Sequence, residues 1–192
     1  MPLRQVATSV SVVTFEDNQL RGSSNIADTL RYDTGIYVTN NGGVGKATSL
    51  RIRGEDSYRT KVYIDGIESR DPSGIGAGAN FANLGSAGIQ RIEILRGPQG
   101  MMYGADAGGV INISTISPEP GLSGTVSGEY GRFGTTDFRG YLAGGSETID
   151  FSAIAATYET DGFNSLNDTP AGSRDEDGYE NDTYHGRLGW NI

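Results

Sequence analysis

The sequence predicts an α+β unit, a small mixed sheet with short helices and long glycine-rich loops, followed by antiparallel strands of barrel length. Three observations carry this. Within Ile89–Thr115, two runs alternate polar and apolar residues, Arg91–Arg96 and Val110–Thr115; alternation at period two marks a strand with one buried face. Of the 192 residues, 30 are glycine, which favours turns and strands over long helices. Finally, Ser117-Pro118-Glu119-Pro120-Gly121 breaks the chain, and beyond it longer alternating ribbons begin.

Val6–Thr14 is β-branched and strand-like. Phe15–Gly22 is polar and suits a short helical turn. Ser23-Ser24-Asn25 offers N-cap residues before Ile26–Arg31, where Ile26, Ala27 and Leu30 share one helical face. Ile36–Thr39 reads as a strand, residues 40–46 as a loop and Ser49–Gly54 as a strand. Lys61–Ile67 is a strand carrying Asp65-Gly66, a hairpin turn pair. Ser69–Asn80 is a second glycine-rich loop. Between the two alternating runs, Gly97-Pro98-Gln99-Gly100 is a turn by composition. Met101-Met102-Tyr103 and Ala105-Asp106-Ala107 suit one helical turn, stopped by Gly108-Gly109.

After the break, four ribbons set apolar against polar residues: Leu122–Tyr130, Thr135–Gly144, Ile149–Thr157 and Thr183–Ile192. Gly131–Gly134 and Gly145–Glu147 are short connections, whereas Glu159–Asp182 is a long one with eight carboxylates against Arg174 alone. Alternation of this kind, with aromatics near strand ends, suits an outer-membrane barrel with apolar residues outward. A soluble β-sandwich shows the same alternation and is the commoner architecture, so the ribbons by themselves favour the sandwich.

A net charge of −9 argues against a nucleic-acid partner, which needs a basic face. With no cysteine, disulfides, thiol chemistry and cysteine metal sites are excluded. No apolar run reaches the roughly 18 residues of a membrane-spanning helix, a limit that says nothing of β-barrels. Met1–Gln5 leads into no apolar core of a secretory signal. The loop Gly42–Thr48 has Asn40 where a phosphate-binding loop needs its first glycine, Ala47 where it needs a hydroxyl, and a strand pattern where it needs a helix. It reads as a surface loop. The lone His185 sits in a barrel-like ribbon and reads as a wall residue, so no catalytic arrangement is expected. The acidic connection is no EF-hand: placing Ser173, Asp175, Asp177 and Gly178 in that register puts Tyr184 where a bidentate Glu belongs.

The stretch Ile89–Thr115, IQRIEILRGPQGMMYGADAGGVINIST, resembles the end of the plug domain in the TonB-dependent outer-membrane receptors, whose pattern is roughly I-x-R-I-E-V-x-R-G-P-x-x-x-x-Y-G-x-x-A-x-G-G-V-I-N-I-x-T. Ser49–Gly54 and Lys61–Ile67 resemble two further plug elements; Thr34 departs from the pattern, which has a proline there. The resemblance covers about residues 6–116. It implies a plug domain over 1–117 and, over 118–192, the first strands of an incomplete transmembrane β-barrel. The N-terminal TonB box, the signal peptide and the rest of a roughly 22-stranded barrel are then expected outside this sequence.

The resemblance implies a receptor, not an enzyme, in the bacterial outer membrane, with the plug inside the barrel facing the periplasm. Its partners would be outer-membrane lipid, the TonB energy-transducing complex and a scarce nutrient, cobalamin or a ferric siderophore. The pattern is similar to the cobalamin receptor in three places, one of them the glycine-rich loop near residues 72–80. Thr39, Asn41, Gly42, Gly43 and Gly45 match its apex loop; Asp175, Asp177, Gly178 and Tyr179 match a calcium-binding run of its second outer loop. By that analogy Asn40, Asn41, Gly42, Gly74, Ile75, Gly76 and Ala77 are the candidate substrate contacts. Asp175 and Asp177 are candidate ligands of a possible calcium, with no cofactor otherwise required. Arg91, Glu93 and Arg96 are expected in ion pairs between plug and barrel. The alternatives are a soluble carbohydrate-binding or adhesive β-domain with a glycine-rich cap and, behind it, a nucleotide-binding enzyme.

Overall fold

The computed structural model of the chain describes residues 9–73, 76–97, 103–104, 107–164 and 176–190. The turn expected at 97–100 and the helical turn at 101–107 fall largely outside them. Two compact units form. One takes in the residues up to Asn40 and Ala47–Thr115; the other takes in Asn41–Lys46 and the residues from Ile116 onward.

In the first unit, β1 (Ser9–Thr14) runs directly into α1 (Phe15–Arg21). The junction is a capping box: Thr14 Oγ1 accepts from the Asp17 N–H at 3.2 Å, and Asp17 Oδ2 accepts from the Thr14 N–H at 3.0 Å. α2 (Ile26–Leu30) is capped by Asn25, whose Oδ1 accepts from the Asp28 N–H at 2.8 Å, and it buries Ile26, Ala27 and Leu30 as its spacing predicts. β2 (Ile36–Asn40) and β3 (Thr48–Ile52) form an antiparallel ribbon. The strand expected to reach Gly54 ends at Ile52, because Arg53 and Gly54 are left-handed, with φ of 53° and 82°.

A 3₁₀ turn at Ser57–Arg59 leads to β4 (Thr60–Ile64), which Asp65-Gly66 folds back onto β5 (Ile67–Glu68). Both turn residues have positive φ, the requirement of the two-residue hairpin that Asp-Gly sequences favour. A second 3₁₀ turn at Phe81–Asn83 precedes β6 (Ile89–Arg96) and β7 (Gly109–Thr115). The mixed sheet has the order β1-β6-β7-β4-β5, antiparallel except between β4 and β7. Ile92 and Ile94 of β6, Ile111 and Ile113 of β7, Val62 and Val13 pack with Leu30, Leu50 and Ile52 into one core. A bulge between Ile89 and Arg91 changes the parity of β6, so Ile89 and Ile92, three apart, are both buried.

The loop after β5 is pinned at its start. Asp71 Oδ1 accepts from the Ser73 hydroxyl and N–H at 2.5 and 2.9 Å, and the Asp71 N–H donates to the Gly78 carbonyl at 2.9 Å. The Ser73 bonds hold the Asp71 carboxyl below its ordinary pKa, hydroxyl first and backbone second.

In the second unit, β8 (Gly121–Tyr130), β9 (Thr136–Gly145), β10 (Ile149–Thr160) and β11 (Tyr179–Trp190) form an antiparallel meander. Its register puts Leu122, Val126, Phe138, Leu142, Ile149, Tyr184, Leu188 and Trp190 on one face, all exposed. Asp137 and Ser152 are buried on the other. The division is less strict than the sequence suggests, for Ala143 and Ile154 are apolar on the polar face. Glycines face large neighbours across the strands: a Cβ on Gly128 would lie 2.7 Å from the Phe138 ring, its cross-strand partner. The connection expected over Glu159–Asp182 is shorter, because Glu159 pairs with Glu180 and Thr157 with Asp182. Backbone pairing continues past the point where the side chains turn acidic.

Replacing fully buried Leu50 with alanine should cost about 2–5 kcal/mol of stability, whereas Leu20→Ala, at a position 87% exposed, should stay within about 0.5 kcal/mol; urea unfolding checks both. Because the folded pKa of Asp71 is depressed, its contribution to loop order is present above the ordinary carboxylate value of about 3.9 and is lost as pH falls through the folded pKa. Ser73→Ala should therefore move the Asp71 titration upward, read by carboxyl NMR.

Candidate functional site

Residues 41–46 connect β2 to β3 yet belong to the second unit, where they meet the β8–β9 turn and the β10–β11 loop. The backbone makes this loop possible. Gly42, Gly43 and Gly45 have φ of 121°, 114° and 75°, and the Lys46 N–H closes a turn on the Gly43 carbonyl at 3.3 Å. A Cβ on Gly45 would overlap the Tyr179 ring, so only glycine fits beneath it. The Phe163 ring covers Gly43 at ordinary contact distance.

The β8–β9 turn is tied to the end of β10. The Thr135 and Thr160 hydroxyls meet at 2.8 Å, Thr160 Oγ1 donates to the Phe133 carbonyl at 3.2 Å, and the Asp161 N–H donates to the same carbonyl at 3.0 Å. These bonds hold Phe133 in a left-handed conformation, φ 61°, that a non-glycine residue adopts at a cost of about 1–2 kcal/mol. The Phe133 ring then meets Phe163 at 5.7 Å between centroids and carries the Arg132 guanidinium at 4.8 Å.

Between these pieces lies a cavity of about 130 Å³, lined by Gly42, Gly43, Val44, Phe133, Thr135, Tyr158, Thr160, Gly162, Phe163 and Asp177. At about 30 Å³ of liquid volume per water, it holds roughly four waters. It can receive a small neutral or apolar group, and it is far too small for a whole corrinoid or chelate. A wider trough runs along Leu122, Val126, Phe138, Leu142 and Tyr184; it is the open apolar face of the sheet, as a lipid-facing surface is.

The candidate residues fall as follows. Asn40 ends β2, and its Nδ2 donates to Thr48 Oγ1 at 2.8 Å across the ribbon. Asn41 is exposed. Gly42 and Asp177, expected in two different roles, line the same cavity. Gly76, φ 84°, and Ala77, φ 46°, make a left-handed corner over Tyr58. Gly74, Ile75 and Asp175 lie outside the described residues.

Asp177 Oδ1 accepts from Lys46 Nζ at 3.1 Å, with each side chain about one third exposed. Calcium takes six to eight oxygen ligands, and among the described residues no three acidic or histidine side chains converge on a common point.

Arg91 and Glu93 form an ion pair with each other on β6. Arg96 is buried; its Nη2 donates to Ser11 Oγ at 2.8 Å and lies 3.9 Å from Asp33 Oδ1. Asp33 also takes Arg21 Nη1 at 2.9 Å, and the same nitrogen donates to the Thr29 carbonyl at 2.6 Å. Burial lowers the Arg96 pKa; Asp33 opposes the shift and Arg53 adds to it. Sequence reasoning missed Phe133, Tyr158 and Phe163, and met Lys46 only in the rejected phosphate loop and Tyr179 only within the acidic run. Their signal was present in part: aromatic residues and a lysine beside the glycine turns that close strand ends.

The loop after Lys46 continues into β3, with no helix N-terminus to face an anion, so no phosphate-binding loop forms. The chain is 34% identical over 194 residues to the vitamin B12 transporter BtuB of Photobacterium profundum, a match covering all of this chain and 31% of that protein. It thus spans about a third of that relative's length. The pyoverdine outer membrane receptor FpvA of Pseudomonas aeruginosa PAO1 superposes with a TM-score of 0.81 at 23% identity, over 100% of this chain and 26% of the other. The ferric yersiniabactin uptake receptor FyuA of Yersinia pestis gives 0.75 at 23%, over 94% and 28%. These two establish the fold: a mixed-sheet plug followed by the opening strands of a barrel, which decides between barrel and sandwich for β8–β11. Residues 2–111 match the TonB-dependent Receptor Plug Domain, and the chain belongs to that family of outer-membrane transport receptors.

Proposed function

We propose that this chain serves in a receptor that binds a scarce nutrient outside the cell and imports it across the outer membrane with TonB-coupled energy. Cobalamin is the first candidate. The observation that carries this is the identity of 34% along the whole chain to a vitamin B12 transporter. The glycine loop at 41–46 supports it, since its turn leaves Asn41 exposed beside a recess that fits a small part of a ligand. Asn41 and Gly42 are the ligand contacts in this reading, with Gly76 and Ala77 as further contacts. The TonB complex supplies the energy, and the chain itself carries out no catalysis.

The test is cobalamin binding to the receptor carrying this chain, in lipid vesicles. Saturable binding that Asn41→Ala weakens about fivefold, the effect of one hydrogen bond of about 1 kcal/mol, supports the reading. Binding of a ferric siderophore in place of cobalamin would keep the receptor and change its cargo. If the exposed face of β8–β11 meets lipid, Val126→Arg, mid-strand on that face, should destabilise the inserted protein by about 2–4 kcal/mol. Equilibrium unfolding from vesicles measures this.

A further inference from the structure

We propose that the loop 41–46 and the start of β11 form a clamp closed by the protein's own cation, with Lys46 holding Asp177 so that no metal is needed to keep the clamp shut. Three contacts converge on six residues. Lys46 Nζ lies 3.1 Å from Asp177 Oδ1. The Tyr179 ring, two residues along from Asp177, packs against Gly45, where a Cβ would overlap it. On the other side, the Phe163 ring covers Gly43, and Phe163 is backed by Phe133. Both ends of the β10–β11 connection therefore grip the loop, Phe163 from the β10 side and Asp177 with Tyr179 from the β11 side.

The backbone of the connection is fixed at the same place. Gly162 lies so close to the Asp177 carbonyl that a Cβ on it would collide, so the two ends of the connection meet there. Tyr179 is further held by Tyr158, at 6.1 Å between ring centroids.

Among the described residues, further charges lie on the elements that carry these contacts. Asp161 lies on the β10 side, Glu176 and Glu180 flank Asp177 and Tyr179, and Arg132 stands on the β8–β9 turn. Among these described residues carboxylates outnumber cations, and the Lys46 ammonium lies against the acidic stretch before β11 at Asp177. A tethered ammonium does this with no loss of translational freedom, which a free ion must give up on binding. A divalent cation at the same carboxylate oxygen would have to displace Lys46. The clamp goes beyond the choice of nutrient and holds whichever cargo the receptor carries.

The experiment is hydrogen exchange, read by mass spectrometry, on the receptor carrying this chain. The peptide containing the Lys46 amide is followed in wild type, Lys46→Gln, Asp177→Asn and the swap Lys46→Asp with Asp177→Lys, each with calcium and with a chelator. The clamp predicts that both single variants exchange about threefold to fivefold faster, the range open to a partly exposed ion pair. It also predicts that the swap restores protection and that the chelator leaves wild type unchanged. Unchanged exchange in the single variants would overturn the ion pair as the closing contact. Faster exchange of wild type in the chelator would overturn the claim that no metal is needed.

Discussion

The exposed apolar face of β8–β11 is the constraint on which the rest depends. Val126 is 88% exposed, Leu188 78% and Trp190 75%, and they stand on one side of one sheet. Water does not tolerate a continuous apolar surface of this kind without a partner. Lipid does, provided every backbone group is paired within the protein. The meander supplies that pairing along each shared strand boundary, and hydrophobic burial is turned outward. The inner face is thereby released from the duty of being a core. It can carry Asp137, Ser152 and Tyr158, and at one end it can be shaped around a loop of glycines.

Rings over glycines recur as the packing device of the second unit. Phe138 lies over Gly128 on the outward face, Tyr179 over Gly45 and Phe163 over Gly43 at the strand ends. In each case a flat side chain gains contact area because its neighbour gives up a Cβ. The cost is borne in the unfolded chain, where glycine has more freedom to lose. A unit built this way needs its strand pairing to fix the geometry first, since the glycines contribute no side-chain packing of their own.

Much of the first unit was legible in the sequence because its signals are local. Alternation placed β6 and β7, Asn25 and the apolar spacing placed α2, and Asp65-Gly66 placed the hairpin. The errors arose where backbone and side chain disagree. β3 stops early at two left-handed residues, and β10 and β11 run on through Glu159, Glu180 and Asp182 because acidity marks departure from an apolar surface, not the end of hydrogen bonding. The bulge at Ile89–Arg91 hid in the same way: one inserted residue shifts the face without changing composition. The site was less legible, for its members are distant in the chain. Gly42 and Asp177 drew attention through a family pattern. Lys46 was weighed only as part of a failed phosphate loop, and nothing local to Phe133 or Tyr179 shows that rings from strand ends settle on residues 41–46.

The two charge groupings differ in the way their burial demands. Arg96 is 8% exposed, and its carboxylate partner Asp33 is shared with Arg21 and Ser11. A buried guanidinium left half-paired is costly, so this network resists any rearrangement that separates β1, α1 and β6 and favours their moving together. Lys46 and Asp177 are each about one third exposed, where water replaces a lost partner cheaply and a pair contributes at most about 1 kcal/mol. Contacts of that strength can open and close on the scale of a binding event, while the network around Arg96 keeps the first unit intact. Weak charge pairing at the loop and strong pairing around Arg96 therefore occur in the same chain. Burial alone sets that difference here.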